Sequence, residues 1–423
     1  MFVSVPILPG VRMAAVQTDK FKTGFFSVNL LRPLCREEAA LNALLPSVLL
    51  RGSREHPSMR KISAWLDSLY GASAGSFVRK RGEVQSVGFY ADFLSDHLTP
   101  GGEEILRPMI DFTSGILLRP AMRKGTFLKS YVEGEKTNLI NDIEASLNEK
   151  RAYASRQLIR TMCADEAYGV SRMGEAEEVR AITRESLLEH WQGILETSRM
   201  EIFYLGTEDP ERVADAFREA FDGLPRGTVL TVPQTRVVRQ AGQTRYVREQ
   251  LDVTQGKLCM GFRTGITGAD PDYPALVLLN AVFGGGTTSK LFTQVREARS
   301  LCYYASSGIE KHKGLLTVSA GIDFDRYEEA LSAILEQLDH SRNGEISEEE
   351  FLAARRSLDA GIRMQVDAPG ALESYYLGQA VSGLSESLDD LRVRLLAVTR
   401  EELARAAEKL SLDTVYFLEG VGE

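Results

Sequence analysis

Ile182-Thr183-Arg184-Glu185-Ser186-Leu187 stands before a helix-forming stretch and the apolar run 202–205, while Val398-Thr399-Arg400-Glu401-Glu402-Leu403 stands before another helix and the apolar run 415–418. Two stretches of chain therefore close in the same way. Earlier landmarks recur at a similar interval: Leu69 and Gly82 have counterparts in Leu301 and Gly314. The helix that ends at Gly52-Ser53 resembles residues 276–286, which are followed by Thr287 and Ser289. An offset of roughly 215 to 235 residues makes each copy a domain-sized unit, larger than a solenoid repeat. The chain reads as an old duplication.

Within the first copy, the opening fifty residues read as a strand, a turn at Thr18-Asp19-Lys20 and a second strand over 25–31, rich in aromatic and branched residues. Glu37 and Glu38 then open a helix whose Leu41, Leu44, Leu45, Val48 and Leu49 recur at helical spacing, and Gly52 ends it. A second helical stretch covers 59–70. A strand pair follows, turning over 79–83. Gly223-Leu224-Pro225-Arg226-Gly227 and Val232-Pro233-Gln234 carry the turn formers of a linker. We place the domains at 1–227 and 228–423. Sheet followed by blocks of helices in each copy implies an α+β fold, two homologous domains of mostly antiparallel sheet covered by helices.

At 423 residues, 43% of them hydrophobic, the chain is long for a single core, in keeping with two domains. A net charge of −9 argues against a phosphate-tracking surface, so nucleic acid is not an expected ligand. The start, MFVSVPILPGVRMAA, has no basic lead and no long apolar segment, and no stretch reaches the length of a membrane span. Cys35, Cys163, Cys259 and Cys302 lie far apart without a CxxC pair, which fits reduced thiols and a cytoplasmic location.

Catalytic zinc takes about three protein ligands, and helical sites place two histidines one turn apart. The five histidines, His56, His97, His190, His312 and His340, form no such pair. The run Val48-Leu49-Leu50-Arg51-Gly52-Ser53, the helix through Leu66, the Gly71 turn and the passage from Glu135-Lys136 to Asp142-Ile143 resemble the pitrilysin/insulinase family, the inverzincins, whose signature is H-x-x-E-H. In that family the signature directly precedes the aliphatic-basic-Gly-Ser/Thr stretch. The resemblance therefore puts its five slots at Ala43, Leu44, Leu45, Pro46 and Ser47, without histidine or glutamate. The distal ligand, seven residues after Glu135, falls on Asp142. A rival register ending at Glu55-His56 lacks its first histidine, and Gly52 and Pro57 around it suit a helix terminus.

The second copy carries more of the family pattern. Arg296-Glu297 followed by Leu301 and Tyr303 resembles the family motif R-E-x-x-x-L-x-Y. By that resemblance Arg296 and Tyr303 match the pair that reaches across a chamber, the arginine steadying substrate backbone and the tyrosine helping to stabilise the oxyanion. Gly284-Gly285-Gly286 lacks the complete phosphate-loop patterns, and Thr or Ser after it reads as a cap for the next helix. In two-subunit relatives a glycine-rich loop at this place touches substrate.

The resemblance thus implies the inactive member of a pair, similar to the paired insulinase-like proteins of Firmicutes: a pseudoenzyme subunit with no metal of its own, beside a zinc-bearing homologue. The alternative is a peptide-binding scaffold or homodimer without a proteolytic role, accessory to protein modification. An active peptidase with an unconventional metal site is a third reading, disfavoured by the scattered histidines.

Overall fold

The computed structural model describes residues 2–421. The chain forms two compact units, each assembled from separate stretches of sequence. The first takes the chain up to Glu144, Val170–Pro233 and Pro369–Val381; the second takes Ala145–Gly169, Gln234–Ala368 and the chain from Ser382 onward.

The first unit is built on a six-stranded sheet in the order Phe2–Leu8, Val11–Gln17, Arg199–Gly206, Thr23–Pro33, Val84–Leu94, Ser73–Arg81. The sheet of the second unit has five strands, in the order Arg245–Leu251, Ser411–Gly420, Gly256–Arg263, Leu315–Ile322, Tyr304–Glu310. One neighbouring pair in each is parallel, Val11–Gln17 with Arg199–Gly206 and Arg245–Leu251 with Ser411–Gly420; the others are antiparallel. Five strands thus match one for one between the units. The expected α+β duplication is the observed fold.

The local signals of the duplication have a physical basis in both copies. Thr183 and Thr399 are N-caps, their hydroxyls accepting from the backbone N–H of Ser186 at 3.0 Å and Glu402 at 3.4 Å, each within a capping box. Gly82 and Gly314 turn the equivalent hairpins at φ 56° and 67°, where a side chain would be strained. One expectation needs correction: two strands, not one, precede Thr18, because Gly10 turns the chain between Leu8 and Val11. Its φ is 72°, and an added Cβ would lie 2.5 Å from Val229 Cγ2.

Along Thr23–Pro33, Phe26, Val28 and Leu30 enter the helix-covered core, and the period of two turns Ser27 and Asn29 to the opposite face. That face meets the helix Pro369–Ser382. Its Glu373 is fully buried and accepts from Ser27 Oγ at 3.0 Å, Asn29 Nδ2 at 3.3 Å and Arg79 Nη1 at 2.5 Å. The second unit repeats the arrangement with apolar groups. Leu258, Met260 and Phe262 enter the main core, while Cys259 on the other face packs with Tyr153, Ala154 and Leu158 of the helix Lys150–Met162. A Cβ at Gly261 would lie 2.6 Å from Met162 Sδ, so a glycine permits this helix to pass close to the sheet. Each sheet is covered on its second face by a helix far from it in sequence.

Candidate functional site

The helix Arg36–Leu50 carries the slots of the degenerate signature. Ala43, Leu44, Leu45 and Pro46 are buried and Ser47 is partly exposed, and the helix runs on through Pro46. Glu135, on the helix Lys129–Ala145, pairs with Arg51 at 3.3 Å, while Asp142 on the same helix is exposed. No imidazole stands in these slots, and the Glu135 carboxylate is already held by a cation. Among the described residues, no group of three or more His, Cys, Asp or Glu is arranged to hold a metal ion. The residues present do not fit the zinc that the signature normally binds. Folding should therefore be independent of metal: adding a chelator should leave the melting temperature unchanged, and a fall of several degrees would show a structural metal.

A polar chain occupies the same helix. Asn42, fully buried, shares a hydrogen bond with His190 Nε2 at 2.8 Å and donates to Gln85 Oε1 at 2.8 Å. Gln85 Nε2 donates in turn to the carbonyls of Ala39 and Arg172. Burial pushes the His190 pKa down to about 4, with Glu38 pulling the other way. The folded imidazole is therefore neutral, whereas an unfolded one titrates near 6.5. Its contribution to stability is complete above the unfolded value and is lost as pH falls from 6.5 toward 4. Thermal melts should fall over that interval, and His190→Gln should flatten the slope; an unchanged profile would acquit this histidine.

The other candidate residues lie in the second unit. Residues Leu291–Ala298 form a π-helix, a wound segment often associated with functional sites. Arg296 Nε donates to the Tyr303 carbonyl at 3.0 Å, its Nη1 lies 3.0 Å from Glu297 Oε1, and its guanidinium lies over the Phe292 ring at 4.5 Å. The Tyr303 side chain is 61% exposed, and its hydroxyl donates to Asp323 Oδ1 at 3.0 Å. That hydrogen bond and the Asp323 charge raise the phenol pKa above its ordinary value. At neutral pH Tyr303 is therefore a proton-bearing donor. The motif residues are brought together, a half-buried arginine held by the Tyr303 carbonyl and Glu297 beside an exposed phenol whose O–H is held by Asp323. Asp323 was not legible beside them, because it reaches Tyr303 through the Tyr304–Gly321 register of two strands.

The glycine loop divides. Gly284 is buried against the strand Tyr304–Glu310: Ser307 N donates to its carbonyl at 2.9 Å, and an added Cβ would lie 2.5 Å from Ser307 Oγ. Gly285 and Gly286 are exposed, and a Cβ at Gly286 would meet open space. The expected cap is present in part, with Ser289 Oγ accepting from Phe292 N at 3.4 Å. Beside the loop is a cleft of about 760 Å³ lined by Thr287, Thr288, Thr293, Gln294 and Glu345 among others. Lys290 on its wall is buried and pairs with Glu350 at 2.9 Å, so its charge is already matched. His56, outside both regions, is half-buried against Trp65 with ring centroids 4.8 Å apart.

Comparison with known proteins bears on this geometry. The family described as "Peptidase M16 inactive domain" matches residues 181–358. The Bacillus subtilis protein named "Probable inactive metalloprotease YmfF" is 34% identical over 411 residues, covering 97% of this chain and 96% of its own. A conserved protein from Enterococcus faecalis, of known crystal structure, is 30% identical with a TM-score of 0.89, covering 100% of this chain and 99% of its own. The peptidase M16 inactive domain from Pseudomonas fluorescens shares the fold at a TM-score of 0.80 and 18% identity, covering 100% and 98%. No helix among the described residues is long and apolar enough to cross a membrane. With its signature slots filled by Ala43, Pro46 and Ser47 and its fold shared along the whole chain, this protein belongs to the peptidase M16 family, on its inactive side.

Proposed function

We propose that this chain is the non-hydrolytic subunit of an insulinase-like zinc metallopeptidase, pairing in the cytoplasm with a zinc-bearing homologue and supplying contacts to a peptide substrate. The observation that carries this reading is exposed Tyr303 beside half-buried Arg296, present in a chain whose own signature slots hold no metal ligand. Here the phenol faces solvent, with a carboxylate keeping its proton in place. In the paired enzyme the Tyr303 O–H would donate to oxygen as negative charge develops on it, and Arg296 would hold substrate carbonyls. Zinc, carried by the partner, would supply Lewis-acid chemistry. Gly285 and Gly286 would let a peptide backbone approach closely.

Peptide capture without cleavage is a second reading, favoured by the strand Ser73–Arg81, which forms an outer edge of the first sheet and could add an extended peptide as a further strand. One experiment separates the two: this chain, an H-x-x-E-H homologue from the same organism and their mixture are assayed against a peptide library. Cleavage that needs both chains and is abolished by a chelator supports the paired enzyme. Binding of peptide by this chain with no effect on the homologue's activity favours the scaffold.

A further inference from the structure

The two sheets differ by one strand. In the first unit, Phe2–Leu8 runs antiparallel along the outside of Val11–Gln17, which is itself parallel to Arg199–Gly206. The second unit has the equivalent parallel pair, Arg245–Leu251 on Ser411–Gly420, but Arg245–Leu251 ends its sheet. Among the described residues, no strand takes in the second unit the place that Phe2–Leu8 takes in the first. Arg245, Tyr246, Arg248 and Gln250 are exposed along it, Tyr246 by 61%. We propose that this edge binds the same strand of a second copy of the chain, antiparallel, about a two-fold axis at Val247. The proposal is independent of pairing with a zinc-bearing homologue.

Three features point to a second copy. The first is polarity: the seat is filled antiparallel where it is filled, and two identical strands related by a two-fold axis perpendicular to the sheet can pair only antiparallel. The second is the direction of the main-chain groups. The Leu251 carbonyl accepts from Val421 N–H, so the odd-numbered residues bond to the neighbouring strand. Alternation then aims the N–H and C=O of Tyr246, Arg248 and Gln250 outward. A full edge of unpaired donors and acceptors invites another strand.

The third is side-chain register. Centring the axis on Arg248 or on Glu249 would set like charges directly opposite, which is unfavourable. Centred on Val247, the pairing sets Val247 on Val247 and Tyr246 opposite Arg248, while Arg245 and Glu249 stand opposite with each keeping its partners within the chain, Asp413 for the arginine and the Tyr153 and Tyr416 hydroxyls for the glutamate. No pair in this register then sets like charges opposite each other, and the central pair is apolar. The same register makes Tyr246 and Arg248 the hydrogen-bonded pairs, so their outward groups close four main-chain bonds around the axis. An interface this short makes a weak, concentration-dependent dimer.

The test uses the whole chain. Sedimentation velocity over a range of concentrations should show a monomer–dimer equilibrium. Val247→Cys should form a disulfide-linked dimer under mild oxidation, because directly opposed residues of a non-hydrogen-bonded pair lie about 4.5 Å apart at Cα, within disulfide reach. Gln250→Cys, opposite residue 244 in this register, should not. The wild-type chain is the crosslinking control, since Cys163, Cys259 and Cys302 are buried and Cys35 is partly exposed. Arg248→Pro removes an outward N–H from each copy without breaking a bond to the neighbouring strand, and should weaken dimerisation about tenfold or more with an unchanged circular dichroism spectrum. Crosslinking no better at 247 than at 250 would overturn the proposal, as would a wild-type chain that stays monomeric throughout. If Arg248→Pro instead loses the zinc-bearing homologue, the edge belongs to a foreign strand and the proposal is likewise overturned.

Discussion

Tyr303→Phe, assembled with a zinc-bearing homologue, should lower kcat on the order of 100-fold while leaving KM and assembly nearly unchanged. The expectation follows from what the phenol does and does not touch. Its ring is mostly in solvent and its hydroxyl bonds only to the similarly placed Asp323 carboxylate, so its loss removes little packing. Stability should stay within about 0.5 kcal/mol, as for surface substitutions in general. A donor whose bond tightens only as charge develops on substrate acts on kcat, whereas a group that holds the ground state acts on KM. Arg296→Ala should therefore raise KM as well. Because Arg296 also donates to the Tyr303 carbonyl, Arg296→Lys is the needed companion, retaining charge without the fork. The measurement is steady-state peptide cleavage, with assembly checked by size exclusion. Undiminished turnover from a properly assembled Tyr303→Phe complex would mean that the motif serves packing and that the chain's role is scaffolding.

What could be read from the sequence was local or repeated. Thr183 and Thr399 each cap a helix through residues three positions on, and Gly82 and Gly314 each turn a hairpin between adjacent strands, so short patterns carry the whole interaction. Arg296 and Tyr303 were visible for the same reason, lying seven residues apart. The exchanged helices were not. Glu373 reads as an ordinary solvated helix charge, yet it is fully buried because Arg79, 294 residues away in sequence, and the polar face of Thr23–Pro33 satisfy it. Asn42 sits one residue before the first signature slot and looks like a surface amide. Its partner His190 lies on a helix 148 residues further on. Asp323 escapes in the same way. Each omission is a polar group whose burial or role depends on a partner brought by tertiary contact, which no window of local sequence contains.

The largest effect on stability should come from Arg263→Ala. Arg263, 2% exposed at the end of the strand Gly256–Arg263, donates through Nε to Asp413 Oδ2 at 2.8 Å, and its Nη2 lies 2.7 Å from both the Met162 carbonyl and Glu166 Oε1. Fully buried Lys313 pairs with the other Glu166 oxygen at 2.6 Å, and Arg245 with Asp413 at 2.9 Å. Burial alone would raise both carboxyls. Hydrogen bonds and charge from Arg263 and Lys313 outweigh it at Glu166, and those from Thr414, Arg263 and Arg245 outweigh it at Asp413, so both stay below the usual carboxylate range. Their contribution to stability is thus present above the unfolded pKa and lost as pH falls through the folded one. Removing Arg263 leaves one buried carboxylate leaning on Lys313 and the other on the half-exposed Arg245, which then remains the one side chain of the two donating to the Met162 carbonyl at the end of the helix Lys150–Met162. Breaking a buried pair from one side typically costs roughly 3–5 kcal/mol. The chain offers an internal reference for the measurement: both tryptophans, Trp65 and Trp191, belong to the first unit. In a denaturant titration of Arg263→Ala, part of the circular dichroism transition should therefore move to lower denaturant while the tryptophan fluorescence midpoint holds. Arg263→Lys should fall between, because an ammonium cannot reach Asp413, Glu166 and the Met162 carbonyl together. A circular dichroism midpoint in Arg263→Ala that matches the wild type would show that these five charges add nothing to the second unit beyond the cost of their own burial.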